Sequence, residues 1–530
     1  MLSSLSARYD AVVIGSGHNG LVAAAYLARA GKSVLVIERN AEIGGATASQ
    51  QVFPDYDAWL SRYSYLVSLF PQQIVRDLGL SFTTRRRNTA SFTPWTDSAG
   101  AARGLVLSNV DEDRSRESML ALTGKHETWD RYQEFVSLQS EIAKLVWPTL
   151  LQPLASRDQL AQSCQTHLQR RAWKTLIEQP LGESIESVTD NDALRGLLMT
   201  DGKIGVFTHP HDESLLQNRC FLYHVIGGGN GEWRVPVGGM RSLTQSLEAC
   251  CRSAGVDFLC GATAKHIDTG REHRITFDHN GTERDVSTTN VLINASPRVR
   301  TRLLGESWSP SDQDEGSVVK INMLLRHLPR LKTADTTAEE AFAGSFHVDE
   351  GYEQMLRSRQ TAMRGEIPDP APGEVYCHTL TDESILSPEL RQAGFQTLTL
   401  FGLDMPYRLF ESDHDARKQH VLDLYMQGLS RLTVEPFEDC LAADRNGNHC
   451  VEIKTPQELE REVGLDRGNI FHNELTWFWA DDSCPAGATG AWGVETETPG
   501  IYIAGSSALR GGAVSGIPGH NAAQCILQSG

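Results

Sequence analysis

The chain has 530 residues, of which 40% are hydrophobic and 22% charged, a composition typical of a globular protein with two or more domains. Its formal net charge of −18 disfavours nucleic acids and anionic membrane surfaces as partners, because both would repel it. No apolar run reaches the length of a membrane-spanning helix, and the residues before Tyr9 lack the apolar core of a secretory signal, so we expect a cytoplasmic protein. The 10 cysteines show neither C-x-x-C nor zinc spacing, which predicts reduced thiols and no metal site.

The N-terminal stretch has the pattern of a dinucleotide-binding βαβ unit. Residues 11–14 are apolar and β-branched, which predicts a buried strand, and Gly15, Gly17 and Gly20 follow it in G-x-G-x-x-G spacing. An Ala- and Leu-rich helix then leads to a second apolar strand that ends on Glu38. Strand, glycines, helix, strand and terminal acid fall in the expected register, which a chance match to the glycine motif rarely does.

Each part of this unit has a physical role. The glycines allow a tight turn, a close approach of the backbone to a pyrophosphate and close packing of the helix on the sheet. The helix start offers free N–H groups to phosphates. Glu38 would accept hydrogen bonds from a ribose diol, which favours FAD or NAD over NADP. Arg39 followed by Gly44, Gly45 and Ala46 favours FAD, since this extension is typical of flavoproteins.

The chain then leaves this unit and returns to it. Residues 46–75 are rich in aromatic residues and serine, and alternating segments predict short strands over 76–110. Apolar residues at three- and four-residue spacing predict helices over 114–198. Short strands are predicted at 256–259, 262–267 and 291–295, and alternating strands and helices from 310 to 470.

Of two later glycine-rich segments, only the second has the pattern of a cofactor-binding unit. Residues 227–231 follow an apolar run, but an extended segment follows them instead of a helix, so we reject a second dinucleotide fingerprint there. At the C-terminus, a strand over 501–504 is followed by Gly505, a glycine-rich loop and a helix from about Ser515. This unit would bring a second helix N-terminus to the cofactor, where its dipole favours negative charge.

Candidate acid–base residues are histidines and a carboxylate outside the glycine motifs. They are His209, His211, Asp212 and His472. The cluster at 209–212 also admits a metal-binding interpretation or a purely structural one. The aromatic residues at 477–479 could line an apolar substrate tunnel or belong to the core. Arg510 could bind an anionic group or form a surface salt bridge, and of these we favour the surface salt bridge.

Several motifs together resemble one family. They are GSGHNGLVAAAYLARAG, VIERNAEIGGA, VPVGGMRSLTQSL, NAS at 294–296, GNIFHNEL at 468–475 and GIYIAGSSALRGGAVSGIPGHNAA. The chain resembles the phytoene desaturase-like group of FAD-dependent oxidoreductases, and within it the branch called pyridine nucleotide-disulfide oxidoreductase domain-containing protein 2. The resemblance implies an α/β fold, α+β overall, in which a mixed sheet-plus-helix substrate domain is inserted into a Rossmann-like FAD-binding domain of the glutathione-reductase-2 type. We predict an FAD-binding domain from residues 1–75, 235–310 and 470–530, and a substrate domain from 76–234 and 311–469.

The glycine motifs and the resemblance together give a set of predicted cofactor-binding residues. These are Gly15, Ser16, Gly17, His18, Asn19, Gly20, Glu38, Arg39, Gly44, Gly45, Ala46, Ala264, Asn294, Ala295, Ser296, Gly505, Ser506, Val514, Ser515, Gly516 and Ile517. The chain departs from the pattern of many FAD enzymes, because Ser506 stands where a G-D pair is common and Ala508 begins a turn that often reads H-P-G-G-G. It also lacks a redox-active cysteine pair, which disfavours disulfide reductase chemistry.

These features predict an FAD-dependent oxidoreductase of the dehydrogenase, desaturase or oxidase type. It would remove a hydride from an apolar or amine-bearing small molecule to form a C=C or C=N bond. With a single nucleotide site, the electron acceptor would be diffusible, such as oxygen or a quinone. A redox-neutral flavin-dependent isomerase and a flavin-binding interaction protein with an idle active site stay open as alternatives, and so do peripheral membrane contact and homo-oligomerisation.

Overall fold

The computed structural model describes residues 5–310, 315–480 and 491–529. The strands are β1 (Arg8–Ile14), β2 (Val34–Glu38), β3 (Ser49–Gln50), β4 (Leu60–Ser61), β5 (Thr84–Arg85), β6 (Thr89–Thr96), β7 (Ala102–Ser108), β8 (Val235–Pro236), β9 (Asp257–Cys260), β10 (Ala262–Asp268), β11 (His273–His279), β12 (Thr282–Ile293), β13 (Val319–Leu325), β14 (Ser345–Val348), β15 (Gly373–Tyr376), β16 (Gln396–Gly402), β17 (Val451–Lys454) and β18 (Ile501–Ile503). The helices are α1 (His18–Arg29), α2 (Gln72–Leu78), α3 (Glu112–Thr123), α4 (Glu127–Val146), α5 (Arg157–Gln162), α6 (His167–Trp173), α7 (Leu181–Val188), α8 (Asp192–Thr200), α9 (Leu216–Val225), α10 (Arg241–Ser253), α11 (Pro297–Leu303), α12 (Ala338–Phe342), α13 (Tyr352–Met363), α14 (Pro388–Gln392), α15 (His414–Leu432), α16 (Pro456–Val463) and α17 (Ile517–Ser529).

The first sheet has seven strands and contains both ends of the chain. Its parallel part runs β9–β2–β1–β12–β18, and β10 and β11 extend it beside β12. This parallel order is that of a dinucleotide-binding sheet, in which the strand order reverses between β1 and β12. Ligands of such sheets bind outside the carboxyl ends of the strands at this reversal, which here means after Ile14 and Ile293.

The long strand β12 joins two kinds of pairing. Its first half pairs antiparallel with β11, whereas its second half pairs parallel with β1, so that Ile14 lies opposite Ile293. The strands of the parallel part are almost wholly buried, because helices cover one face and the meander β10–β11–β12 packs apolar side chains on the other.

Helices α1, α10 and α17 pack together on the first sheet. Helices α1 and α17 cross closely at Gly519, where a Cβ would lie 1.9 Å from the carbonyl oxygen of Asn19. The C-terminal helix is thereby fixed against the start of α1, the helix that follows the first glycine motif.

The second sheet also has seven strands, in the order β17–β13–β16–β15–β14–β6–β7. All its pairs are antiparallel except β14 with β6. In its core, the ring of Phe346 lies 4.9 Å from that of Phe92 and 4.4 Å from that of Phe342, measured between ring centroids. Helix α15 packs Tyr425 into the same core. Its strands come from residues before and after those that return to the first sheet, as an insertion arrangement requires.

Helices α3 to α9 share a continuous apolar core with the helices of the first sheet. A buried ion pair joins this helical region to the second sheet, because Lys203, after α8, donates to Asp404, after β16, at 2.9 Å. The predicted helices over 114–198 are confirmed, whereas the domain boundaries stay a prediction.

The two glycine-rich segments differ in the structure as the sequence suggests. Residues 227–231 follow helix α9 and lead into an extended segment, so they are not a strand–turn–helix unit. The C-terminal unit does contain strand β18 and helix α17, and the helix begins at Ile517. Among the described residues, no helix combines the length and the apolarity that crossing a membrane requires.

Candidate cofactor and substrate site

The first glycine loop is shaped by a close approach of two strand ends. Gly15 has a φ of +99°, and a Cβ there would lie 2.3 Å from the carbonyl oxygen of Asn294, at the end of β12. Only glycine fits this position without a backbone shift. A Cβ at Gly20 would lie 2.4 Å from the carbonyl oxygen of Gly15, so the third glycine lets α1 lie directly against the turn.

The side chain of Asn294 clamps this loop. Its Nδ2 donates to the carbonyl oxygens of Gly15 at 3.0 Å and of Gly17 at 3.3 Å. These bonds turn both carbonyls away from the space in front of helix α1. The helix amides face that space instead, and the first of them bonded within the helix is that of Leu21, which donates to Gly17.

Glu38 is buried at the end of β2 and is already hydrogen bonded. One oxygen accepts from the amide and the hydroxyl of Ser16 at 2.8 Å and 2.7 Å, and the other accepts from the amide of Asn40 at 2.8 Å. A carboxylate accepts about four hydrogen bonds, so roughly one position is left for a ligand. The predicted ribose acceptor therefore also fixes the loop that would hold the pyrophosphate.

Two half-buried histidines, His18 and His472, line the pocket in front of the first glycine loop. Nε2 of His18 and Nδ1 of His472 are buried and have no hydrogen-bond partner among the described residues. Burial lowers the pKa of each imidazole to about 4, although a hydrogen bond to the backbone of Ala513 opposes this for His18. Both rings are therefore neutral at pH 7. His472 has a φ of +66°, a left-handed conformation that places it at a sharp turn.

A pocket at the carboxyl ends of the first sheet contains two thirds of the predicted cofactor-binding residues. Those that line it are Gly15, Ser16, Gly17, His18, Asn19, Glu38, Arg39, Gly45, Ala46, Ala264, Asn294, Ala295, Ser296 and Ser506. We call this pocket the cradle.

The other predicted cofactor-binding residues do not line the cradle. They are Gly20, Gly44, Gly505, Val514, Ser515, Gly516 and Ile517. Gly20 packs on the turn, Gly44 pairs with Gly17, and Gly505 approaches the amide oxygen of Asn294. Residues 514–517 are buried at the start of α17.

Sequence reasoning missed several cradle residues. They are Ile14, Ile37, Asn40, Ala262, Thr263, Val299, Arg302, Val463, Gly464 and Leu465. Some of these are neighbours of predicted residues, but residues 463–465 belong to a segment that the prediction gives to the substrate domain. They reach the cradle through the end of α16, where Arg39 donates to the carbonyl of Glu462 at 3.2 Å.

Of the four candidate acid–base residues, the structure brings only His472 to the cradle. His211 is exposed and contacts Glu186 at 2.8 Å, and the carboxylate of Asp212 accepts from Thr208 at 2.9 Å and from the amide of Ser214. His209 lies in the same loop, where burial lowers its pKa. These contacts hold the loop of His209, His211 and Asp212 against α7, outside the cradle.

Arg510 is not a surface residue, which corrects the favoured expectation for it. Its side chain is buried and donates to the carbonyls of Thr149, Gln152 and Trp492 at 2.8–2.9 Å. It therefore joins the C-terminal glycine-rich loop to the end of the α4 region.

The aromatic residues at 477–479 belong to the core. The ring of Trp479 stacks on that of Trp477 at 4.9 Å and contacts that of Trp173 at 5.4 Å. Phe478 stacks on Tyr223.

A second cavity lies between the helical region and the second sheet. Its volume is about 470 Å³, within the range of sites for small molecules. Residues from α4, α8 and α9 line one wall, and Arg87, His347 and Glu374 belong to the opposite wall. We call it the inner cavity.

Two tyrosines connect the inner cavity to the cradle. The rings of Tyr65 and Tyr376 are 4.6 Å apart, and Tyr376 interacts with Glu374 at the cavity wall through a side-chain hydrogen bond. The neighbour of Tyr65, Ser64, donates its hydroxyl to the carbonyl of Ala46 in the cradle at 2.7 Å. This pair of rings is therefore linked to the inner cavity through Glu374 and to the cradle through Ser64.

Lys320 fixes the position of Tyr65. Its buried ammonium group donates to the carbonyls of Ser61 and Tyr63 at 2.8 Å and 2.7 Å, and it lies 5.0 Å from the ring centre of Tyr65. Burial holds its pKa well below the usual range. Sequence reasoning missed Lys320 because a single lysine in a mostly apolar strand carries no motif.

The chemistry of the cradle fits a dinucleotide such as FAD. It combines a backbone turn that excludes a Cβ, the free amides at the start of α1, a buried carboxylate at the end of β2 and orphaned nitrogens on two neutral histidines. The orphaned nitrogens need a partner, since a buried polar atom without one is costly.

Comparisons with known proteins support this interpretation. The model of the NAD(P)-binding Rossmann-like domain matches residues 13–78. An uncharacterized protein of Mycobacterium tuberculosis is 42% identical over 524 residues, covering 98% of this chain and 97% of that protein. Pyridine nucleotide-disulfide oxidoreductase domain-containing protein 2 of Rattus norvegicus is 29% identical over 578 residues, covering 99% and 94%.

Among solved structures, putrescine oxidase bound to putrescine has the same fold, with a TM-score of 0.54 at 16% identity over 98% of this chain and 99% of that one. The full-length relatives, the Rossmann-like match and this fold agree with the geometry of the cradle. The chain is related over its whole length to pyridine nucleotide-disulfide oxidoreductase domain-containing protein 2, belongs with the FAD-dependent oxidoreductases, and is an oxidoreductase with FAD as its cofactor.

Proposed function

We propose that this enzyme removes two hydrogens from a small-molecule substrate, one of them as a hydride from a C–H bond, to leave a C=C or C=N bond. The observation that carries this proposal is the inner cavity, which is of substrate size and is linked to the cradle through contacts of Tyr65 and Tyr376. The electrons would pass to a diffusible acceptor, oxygen or a quinone. Bound FAD supplies the two-electron acceptor chemistry.

The proposal assigns the cradle residues by their chemistry. The pyrophosphate would face the amides at the start of α1, where residues 15–17 leave room for it. Glu38 would use its remaining acceptor position for a ribose hydroxyl, and Ala264 would offer its backbone to the adenine. Residues 514–517 at the start of α17 would act through the helix dipole.

The chain's own groups position the substrate and handle the second hydrogen. The rings of Tyr65, Tyr376 and Phe401 pack together and exclude water from their surroundings, which strengthens the polar interactions there. Lys320 holds the backbone on which Tyr65 is mounted. His472 and His18, both neutral at pH 7 and each with an unpartnered ring nitrogen, are groups that can accept a proton in the cradle.

The same proposal includes two domains with the predicted boundaries, 1–75, 235–310 and 470–530 for FAD, and 76–234 and 311–469 for the substrate. The second sheet and the helical region would then form the wall of the substrate site. Residues 463–465 would be the part of the substrate domain that closes over the cofactor.

Anaerobic reduction tests the proposal. The holoenzyme is mixed with candidate amines, alcohols and apolar alkenes in the absence of oxygen. The visible absorbance of the flavin is followed, and a loss of about half of it or more shows that the flavin is reduced. We expect bleaching by a substrate whose product is lighter by two hydrogens in mass analysis, and recovery of the absorbance when oxygen or a quinone is added.

Two outcomes would contradict the proposal. Turnover without any net redox change, seen only after prior reduction of the flavin, would show an isomerase instead. Failure of every compound to bleach the flavin, together with stable capture of one protein partner, would show an interaction protein.

A further inference from the structure

The polar end of the inner cavity contains one buried acid, Glu374, and one half-buried acid, Asp201, and neither forms an ion pair among the described residues. Glu374 is 2% exposed, and its Oε1 has no hydrogen-bond partner among the described residues. Asp201 lines the same cavity, and its carboxylate makes no ion pair or hydrogen bond within residues 5–310, 315–480 and 491–529. These two carboxylates are the unpaired acids of this cavity.

The other charged groups at this end do not remove the imbalance. His347 lies 2.6 Å from Glu350, whose carboxylate also accepts from Thr200 at 2.7 Å, so these two groups balance each other. Arg87 is buried, and no carboxylate of the described residues lies within 4.0 Å of its guanidinium group. Arg87 acts on both acids and the buried imidazole of His224 acts on Asp201, so among the described residues Arg87 is the one permanent cation that these two carboxylates share.

The rim of the cavity does not supply a second cation. Arg86 and Arg234 both pair with Glu232, at 3.1 Å and 3.0 Å. Their charges are therefore directed to the rim acid. The opposite wall, from α4 and α9, is largely apolar, with Phe135 and Phe221 in contact at 5.7 Å.

We propose that the inner cavity binds the substrate through a protonated amino group, held by Glu374 and Asp201, while the apolar wall holds a hydrocarbon body. The substrate class is then an amine with an apolar chain or ring. This inference rests on the proposed function, since it takes the inner cavity to be the substrate site.

Ionisation at the polar end agrees with this assignment. Burial, followed by the charge of Glu350, raises the pKa of Glu374 to about 8, and burial also raises that of Asp201. Burial alone would lower the pKa of His347, but the charge and hydrogen bond of Glu350 outweigh it and raise the value. Without a ligand, a proton can occupy the place of the missing cation, and an arriving ammonium group would displace it.

Binding of matched probes to the holoenzyme tests the proposal. Benzylamine and benzyl alcohol have nearly the same shape, but only the amine is charged near neutral pH. We expect benzylamine to bind at least roughly tenfold more tightly in calorimetric titration. Glu374→Gln keeps the size of the side chain and should weaken benzylamine binding about 10- to 100-fold while leaving benzyl alcohol unaffected.

Two further variants make the test decisive. Asp201→Asn should weaken the amine selectively in the same way, whereas Glu339→Gln, at an exposed acid of α12, should change neither probe. Thermal unfolding and FAD content identify a variant that fails to fold. If wild-type protein prefers benzyl alcohol, or both Glu374→Gln and Asp201→Asn bind benzylamine normally, the proposal is overturned.

The outcome also separates this inference from the proposed function. Selective binding of amines without any bleaching of the flavin would keep the amine site and contradict the redox role. Bleaching by a neutral substrate, with no preference for amines, would keep the redox role and contradict the amine site.

Discussion

The clamp formed by Asn294 provides the sharpest prediction from the cradle. Its Nδ2 donates to the carbonyls of Gly15 and Gly17, at 3.0 Å and 3.3 Å. Asn294→Ala removes both bonds, each worth about 0.5–1.5 kcal/mol. The freed carbonyls can then turn toward the space that the pyrophosphate would occupy, where they repel it.

Together the two bonds correspond to about 1–3 kcal/mol, so the affinity for FAD should fall roughly 5- to 150-fold. The assay titrates FAD into deflavinated protein and follows the quenching of flavin fluorescence. Asn290→Ala is the matched control, because Asn290 on the same strand bonds the carbonyl of Asp10 at 2.9 Å at the other end of β1.

We expect Asn290→Ala to bind FAD as the wild type does. If Asn294→Ala also binds FAD with unchanged affinity while its thermal unfolding stays normal, the clamp does not organise the cradle and the reasoning is wrong. A change of equal size in both variants would show a general effect on the sheet rather than on the loop.

The other predictions concern the ribose acid, the helix crossing and the buried histidine. Glu38→Ala should weaken FAD binding about 10- to 100-fold in the same titration, since it removes a charged acceptor that also fixes Ser16, and stoichiometric FAD after extensive dilution would contradict it. Gly519→Ala should lower the free energy of unfolding by about 1–3 kcal/mol in a urea titration, because its Cβ would overlap Asn19, and an unchanged midpoint would show that α17 is not held there. The pKa of His472 is about 4 in the folded chain and lies below that of the unfolded chain, so its contribution to stability is present above about pH 6.5 and is lost as the pH falls toward 4. His472→Asn should therefore reduce the loss of stability over this pH range by about 1–3 kcal/mol in denaturant titrations, and a pH profile like that of the wild type would show that His472 is solvated.

The sequence predicts the parts of the cradle that are local in the chain. The turn at Gly15, the helix after it and the acid Glu38 are separated by few residues, so spacing alone indicates how they meet. Asn294 required the resemblance to a family, because the pairing of β12 with β1 joins residues about 280 positions apart.

The inner cavity could not be predicted from the sequence for the same reason: its residues are far apart in the chain. Glu374 and His347 lie on neighbouring strands, but Asp201 follows a helix and Arg87 precedes β6, and no motif connects them. Their meeting depends on the order of the second sheet, including the parallel pair of β14 and β6. Arg510 shows the opposite error, since a charged residue in a glycine-rich loop suggests the surface until the fold turns it inward.

The central claim is that one cradle holds one FAD between the N-terminal glycine loop and the C-terminal unit. The most direct measurement is the absorption spectrum of the purified protein, with mass analysis of the nucleotide released on denaturation. The account predicts a flavin spectrum and about one FAD per chain, either as purified or after incubation with FAD. A protein that stays colourless after incubation with FAD, or that retains NAD in its place, would contradict the account.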